Sequence, residues 1–237
     1  FTDKGNYLCF SNGILYSTGY TYAYGQDRNV CTIKYDVAGN KVWVKTFNGT
    51  GSAVDEPTGI APDGSGNIYV AGRTKNASGD YDMLVIKYNP NGDTIWTRTY
   101  DGGVNGDDAI SDIAADANGN LYVTGASDTD VSAAVSNNFW TMKIGAAGNT
   151  IWSKQYDGAA HADDKAYSIA LDVNGNAYVT GKTWNGNNYD IETVMYASSN
   201  GNQGWATVYA SNLGDDNPVK IVADNFNHVI VGGKSDR

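Results

Sequence analysis

Cysteine, histidine and proline are scarce in these 237 residues, with two, two and four copies, and each shortage closes off a kind of chemistry. Two cysteines, Cys9 and Cys31, cannot build a disulfide-dense scaffold. His161 and His228 lie far apart in sequence without ligand-like neighbours, which argues against a His-rich metal centre and against a Ser-His-Asp nucleophile. So little proline does not fit a disordered Pro-rich linker. Positive charge is also short: 16 Lys and Arg stand against 26 Asp and Glu, a formal net charge of −10. Nucleic acid and anionic membranes call for clustered basic side chains, so neither is an expected partner. No segment approaches the roughly 18 apolar residues of a bilayer span, so no membrane insertion is expected. The chain opens Phe1-Thr-Asp-Lys-Gly5, without an initiator Met or a basic-then-apolar leader, and reads as a processed chain or part of a longer gene product.

What the sequence has in quantity is glycine, 29 residues, and a repeat. Asn67-Ile-Tyr-Val-Ala-Gly72, Asn120-Leu-Tyr-Val-Thr-Gly125 and Asn176-Ala-Tyr-Val-Thr-Gly181 are copies of one strand, and looser copies end at Gly19 and Gly233. A second landmark, a Trp after a Gly-containing turn, falls at Trp43, Trp96, Trp152 and Trp205. Both recur every 52 to 56 residues, the mark of a repeat architecture. Within the clearest unit, Thr58–Pro62, Ile68–Gly72, Met83–Tyr88 and Thr94–Tyr100 are four β-rich runs. Gly/Asn/Asp/Pro turns separate them, which predicts an antiparallel four-stranded meander. The Tyr-Val strand is apolar on both faces, so its sheet should be covered on both sides. Four-stranded sheets repeated radially make a β-propeller. The predicted class is therefore all-β, one propeller domain over 1–237. Its blades fall at about 1–50, 51–103, 104–158 and 159–211, with a partial blade at 212–237.

The stretch Pro57-Thr-Gly-Ile-Ala-Pro-Asp-Gly-Ser-Gly-Asn-Ile-Tyr-Val-Ala-Gly72, followed by Tyr81-Asp82 and Lys87-Tyr88, resembles the bacterial seven-bladed β-propeller repeat (SBBP) and, more distantly, NHL-repeat propellers. The resemblance implies a secreted or surface-exposed bacterial interaction module. It also implies that the strand holding Ile60, Ile113, Ile169 and Ile221 is innermost, lining the channel, with the Trp strand outermost.

The predicted ring does not close. Val219–Ala223 and His228–Gly232 supply only the two inner strands of a fifth blade, and the N-terminus has no spare outer strands to complete it. A truncated blade, a completing partner chain and a fragment of a larger ring are the alternatives, and the fragment is favoured. An uncovered edge strand should be covered by something.

Acidic pairs precede the inner strand of four blades: Asp55-Glu56, Asp107-Asp108, Asp163-Asp164 and Asp215-Asp216. A ring of carboxylates could hold Ca²⁺, and no other cofactor is expected. Repetition in every blade favours instead a structural role, each Asp fixing its loop through backbone N–H bonds. The turns Asp63–Asn67, Asp116–Asn120 and Asp172–Asn176 lack the ligand spacing of calcium loops and read as hairpins. Paired-carboxylate hydrolysis stays open, because acidic residues are plentiful.

Residues that the repeat does not require are the better binding candidates. Tyr20, Tyr22 and Tyr24 alternate after Gly19, Trp184 sits in the corresponding loop of the fourth blade, and Ser127–Asn138 is a distinctive longer insertion. Aromatic platforms beside Asn and Asp hold sugars or peptides, although such rings also anchor loops. Cys9 and Cys31, two strand spacings apart, are expected to be free, mostly buried thiols. The expected function is a non-catalytic, extracellular or surface-displayed scaffold that binds a protein partner. The alternatives are a carbohydrate- or peptide-binding propeller using the aromatic loops and, further off, a hydrolase or lyase.

Overall fold

The computed structural model describes residues 3–22, 27–50, 53–102, 106–128, 137–211, 213–224 and 226–236. Tyr24 and residues 129–136 of the Ser127–Asn138 segment lie outside them. Among the described residues there are eighteen strands and no helix, and hence no helix long and apolar enough to cross a membrane. The first blade is β1 (Lys4–Ser11), β2 (Ile14–Tyr22), β3 (Arg28–Tyr35) and β4 (Lys41–Phe47). The second is β5 (Asp55–Pro62), β6 (Ile68–Lys75), β7 (Tyr81–Tyr88) and β8 (Thr94–Tyr100). The third is β9 (Ala109–Ala115), β10 (Leu121–Asp128), β11 (Asn137–Ile144) and β12 (Thr150–Tyr156). The fourth is β13 (Lys165–Leu171), β14 (Ala177–Trp184), β15 (Tyr189–Tyr196) and β16 (Gln203–Tyr209). A two-stranded fifth sheet pairs β17 (Asp216–Ala223) with β18 (Val229–Ser235). Each sheet is an antiparallel meander in sequence order, so four full blades and the inner half of a fifth are present as expected.

The first strands of successive blades touch one another, β1 with β5, β5 with β9, β9 with β13 and β13 with β17, which makes them the innermost layer. The hairpin turns follow from their residues. Asp63 Oδ1 accepts the N–H groups of Ser65 and Asn67, Asp63 Oδ2 accepts from Asn67 Nδ2, and Gly66 takes φ +81°. Asp116, Asp172 and Asp36 repeat the device, and in the fifth blade Asn227 (φ 65°) replaces the glycine. Asn is the side chain best able to visit that conformation. These are hairpin caps, not cation loops.

Two further features explain why the repeat conserves its own glycines and tryptophans along the chain. In every blade the first strand is bulged where it crosses the Tyr-Val strand, between Gly5 and Tyr7, Pro57 and Gly59, Ile110 and Asp112, Ala166 and Ser168, and Pro218 and Lys220. The bulge drives a backbone carbonyl onto the facing glycine. A Cβ at Gly72 would meet the Glu56 oxygen, and one at Gly125 the Ala109 oxygen. At the outer edge, Trp43, Trp96 and Trp152 each donate Nε1–H to the next blade's outer turn, at the carbonyls of Pro90 (3.2 Å), Ala146 (3.0 Å) and Ser198 (3.1 Å). Their rings lie against Gly92, Gly148 and Gly201 of those turns, all with positive φ, where any side chain would collide. Trp96 and Trp152 are 8% and 6% exposed, whereas Trp205, which has no complete blade after it, is 40% exposed.

The core is the set of spaces between blades. Tyr69, Val85 and Trp96 of the second blade pack on Ile113, Leu121, Val123 and Met142 of the third, and Tyr122, Phe139 and Trp152 of the third on Ile169, Val179 and Val194 of the fourth. The strand holding Ile60, Ile113, Ile169 and Ile221 is innermost, as expected, and within it the Ile113, Ile169 and Ile221 side chains are themselves buried. The bulge turns the residue before each of them to the channel instead. Cys9 and Cys31 are free and half-buried, on β1 and β3. Burial pushes the Cys9 thiol up to about 12.

Candidate functional site

The acidic pairs resolve into two structural positions. The fully buried members are Asp55, Asp108, Asp164 and Asp216. Each accepts an N–H from the linker that enters its blade: Gly49 to Asp55 (2.8 Å), Gly102 to Asp108 (2.7 Å), Gly158 to Asp164 (2.5 Å) and Ser211 to Asp216 (2.7 Å). The second strand completes the cage, with the Thr74 hydroxyl on Asp55 and the Trp184 N–H on Asp164. Asp107, Asp163 and Asp215 instead reach back to the third strand of the preceding blade. Asp107 accepts from Tyr81 N–H and Asp215 from Tyr189 N–H, both at 3.0 Å, and Asp163 from Asn137 Nδ2 at 2.7 Å. Asp55 is thus the counterpart of Asp108, not of Asp107, and Val54 stands where the first acidic residue would be. Glu56 makes that blade-to-blade link in another way, through ion pairs with Arg28 of the first blade and Arg73 of its own.

Burial raises Asp55 and Asp164 above the usual carboxylate range and pushes Asp108 up to about 6, against the lowering effect of the Gly102 and Ser127 hydrogen bonds. At Asp216 burial also opposes ionisation, but hydrogen bonds from Ser235 and Ser211 outweigh it and hold the group low. Among the described residues no group of three or more His, Cys, Asp or Glu side chains is placed to hold a metal ion. His161 and His228 are exposed, each against the aspartate four residues earlier, Asp157 and Asp224.

The described aromatic candidates fall in two separate places. Tyr20 and Tyr22 form an edge-to-face pair at 5.9 Å in the first blade, with Arg28 over the Tyr20 ring. Trp184, in the fourth blade, packs edge-on against Tyr189 at 5.1 Å, and Lys182 caps that tyrosine at 3.9 Å. Arg73 over Tyr81 at 4.2 Å is the same device in the second blade. Strand register makes Tyr20 the counterpart of Arg73 and Lys182, and Arg28 the counterpart of Tyr81 and Tyr189. A cation–aromatic clasp therefore closes three blade tops, with its partners exchanged in the first, and such contacts contribute about 0.5–1 kcal/mol when exposed. Ser127 and Asn138 pair across β10 and β11, so the described ends of that segment belong to those two strands.

Two sets of residues stand out only in the structure. Glu192 is buried where Leu84 and Trp140 sit in the preceding blades. Burial raises it, and hydrogen bonds from Tyr156 and Thr183 oppose that rise. The second set lies at the channel position exposed by the bulge, which holds Tyr7, Gly59, Asp112, Ser168 and Lys220 in successive blades. Asp112 Oδ2 accepts from Ser168 Oγ (2.7 Å), Ile169 N–H (3.0 Å) and Lys220 Nζ (2.7 Å), joining three blades. The cavity beside them measures about 560 Å³ and is lined from all five inner strands. The signal in the sequence is the pair of residues before each repeated aliphatic, which changes chemistry from blade to blade while the aliphatic does not.

The β-propeller repeat family SBBP matches residues 42–80 and 151–190. Those two stretches carry SBBP β-propeller repeats. Both matches run from a Trp strand through the next blade's acidic position and Tyr-Val strand, so they span the inter-blade junctions described above. Over 123 residues the chain is 30% identical to the regulatory protein FlaEY of Caulobacter vibrioides, a stretch covering 46% of this chain and 12% of that protein. The chain thus spans about an eighth of that relative's length. Among solved structures, the exo-β-1,3-galactanase 1,3Gal43A of Clostridium thermocellum is 12% identical with a TM-score of 0.48, covering 92% of this chain and 50% of its own. The Bacillus subtilis arabinanase Arb43A is 14% identical with the same TM-score, covering 96% and 87%. At such identities the likeness says nothing of chemistry.

Proposed function

We propose that the chain is a non-catalytic scaffold, extracellular or displayed on a cell surface, that offers a rigid SBBP propeller to a protein partner. One observation carries the reading: the repeated carboxylates are spent on backbone donors and blade-to-blade contacts. Glycoside hydrolysis needs two carboxylates facing one gap, about 5–9.5 Å apart. Among the described residues lining the channel, Asp112 is the one carboxylate, and Lys220 already pairs with it. A partner has surface to use. Leu8 and Phe10 of the first blade, and Val219, Val222 and Ile230 of the half-blade, are exposed apolar side chains. Such patches mark interaction sites, and a partner chain on the half-blade would also cover the free edge of β18.

The test is turnover. Protein at about 10 μM, incubated with aryl glycosides and aryl esters, is expected to match buffer alone, where an enzyme of median turnover near 10 s⁻¹ would be obvious. Hydrolysis that disappears in Asp112→Asn would overturn the reading. A second reading, capture of a sugar or peptide by the aromatic loops, draws support from the partly exposed Tyr20–Tyr22 pair. It predicts that Trp184→Ala alters ligand binding.

A further inference from the structure

Around the channel the repeat keeps its backbone and gives up its side chains. The position after the bulge is always aliphatic: Leu8, Ile60, Ile113, Ile169 and Ile221. The bulge residue runs Asn6, Thr58, Ser111, Tyr167, Val219, and the one that follows it Tyr7, Gly59, Asp112, Ser168, Lys220. Packing between blades dictates the aliphatics at Ile113, Ile169 and Ile221, which are buried, and does not require the other two sets. The charged groups are also one-sided: Asp112 and Lys220, with Ser168 between them, occupy three adjoining blades, while Asn6, Tyr7 and Thr58 line the cavity from the first two.

Lys220 and Asp112 hold each other at 2.7 Å, yet the lysine side chain remains 58% exposed and the aspartate 18% exposed. An ammonium has three donors, so two of Lys220's are left for a guest. Among the described residues Asp112 Oδ1 accepts from the adjoining Ile113 N–H alone and has lone-pair capacity to spare, whereas Oδ2 is filled by Ser168, Ile169 and Lys220. The pair is neutral as a unit. An anionic guest would meet the Asp112 carboxylate and a cationic one the Lys220 ammonium. Adjacent hydroxyls suit both, one donating to the carboxylate and its neighbour accepting from the ammonium. Tyr7 and Tyr167 line the same cavity and offer aromatic faces for the C–H side of a ring. Its volume of about 560 Å³ falls within the range of small-molecule sites.

We infer that the channel is a binding site for one unit of a neutral sugar, with Asp112 and Lys220 gripping a vicinal diol and Tyr7 and Tyr167 flanking the ring. This site is separate from the aromatic loops and needs no catalysis, so its failure would leave the scaffold reading standing. The experiment is a titration of ¹⁵N-labelled protein with glucose, galactose, xylose and arabinose to about 100 mM, the weak range of a few shared hydrogen bonds. Glucuronate and glucosamine serve as charged counterparts. The expected result is saturable shifts at the amides of Asp112, Ile169 and Lys220 with at least one neutral sugar, and weaker binding of both charged ones. Lys220→Met and Asp112→Asn should each weaken binding about 10-fold or more, in keeping with a charged hydrogen bond, and Trp184→Ala should leave it unchanged. Lys220 is exposed enough that Lys220→Met should keep the remaining spectrum, which verifies folding in the same measurement. No saturable shift with any of the four neutral sugars would overturn the inference. So would tighter binding of glucuronate or glucosamine, or binding indifferent to Lys220→Met.

Discussion

Trp96→Ala is expected to destabilise the protein by about 3–5 kcal/mol, and Trp205→Ala, the same residue of the repeat, by about 1 kcal/mol or less. The difference comes from what lies outside each ring. Trp96 is buried against Tyr69, donates to Ala146 and covers the backbone of Gly148, all of which its removal would leave beside a cavity. Trp205 keeps its contact with Tyr178, but no outer turn of a following blade is present to receive it. Urea denaturation midpoints of the two variants check this. Equal losses would mean that Trp205 is covered as fully as Trp96, and therefore that another chain or segment sits on the fourth blade in solution.

Asp108→Asn is expected to stabilise the protein near pH 7.5 and to have much less effect near pH 4. Folding raises the Asp108 carboxyl from 3.8 to about 6. Its favourable contribution, relative to the ionised state, is complete below the lower value and is lost as pH rises through the upper one. The loss amounts to at most about 3 kcal/mol for a shift of this size, at 1.36 kcal/mol per unit. Asp55, Asp164 and Glu192 are raised as well and act in the same direction. Asp36, Asp172, Asp216 and Asp224 are lowered, so their contributions are present above the usual carboxylate range and fail in acid. Stability should therefore peak in acid, near about pH 4, and decline as the pH rises through 6. Asparagine keeps an oxygen for the Gly102 N–H and carries no charge to bury, so the variant should lack much of the decline toward pH 7.5. Denaturation midpoints at the two pH values test it. A variant less stable than the parent at both, with the pH profile unchanged, would show that Asp108 is ionised without penalty.

The blades were legible because local chemistry fixes them. Asp63, Gly66 and Asn67 make one hairpin by themselves, and Tyr69 with Trp96 recurs wherever a blade must cover the next. The half-blade was legible too, since Val219–Ala223 and His228–Gly232 have no Trp strand after them. The channel was not. Asp112 and Lys220 are 108 residues apart and meet only when the ring brings three inner strands together. The bulge that turns them inward leaves no mark on hydrophobic periodicity. Conversely, Tyr20 and Trp184 looked irregular because their positions carry Arg73 and Lys75 in the second blade, and only strand register shows that they join the blade-top aromatic–cation contacts. Glu192 escaped notice because Leu84 and Trp140, its counterparts, are apolar, and an acidic residue in an alternating strand ordinarily faces solvent.

Whether the repeated carboxylates act as staples or as cation ligands can be asked directly by melting the protein at pH 7.5 with about 5 mM Ca²⁺ and again with excess chelator. A ligand bound only by the folded state raises its stability by RT ln(1 + [L]/Kd), about 2.7 kcal/mol at a hundredfold excess over Kd. With Asp55, Asp108, Asp164 and Asp216 each holding a backbone N–H, the two melting temperatures should agree within about 1 °C, well under the shift such binding would give a chain of this length. A rise of several degrees with Ca²⁺ that chelator reverses would contradict the structural role assigned to the acidic pairs.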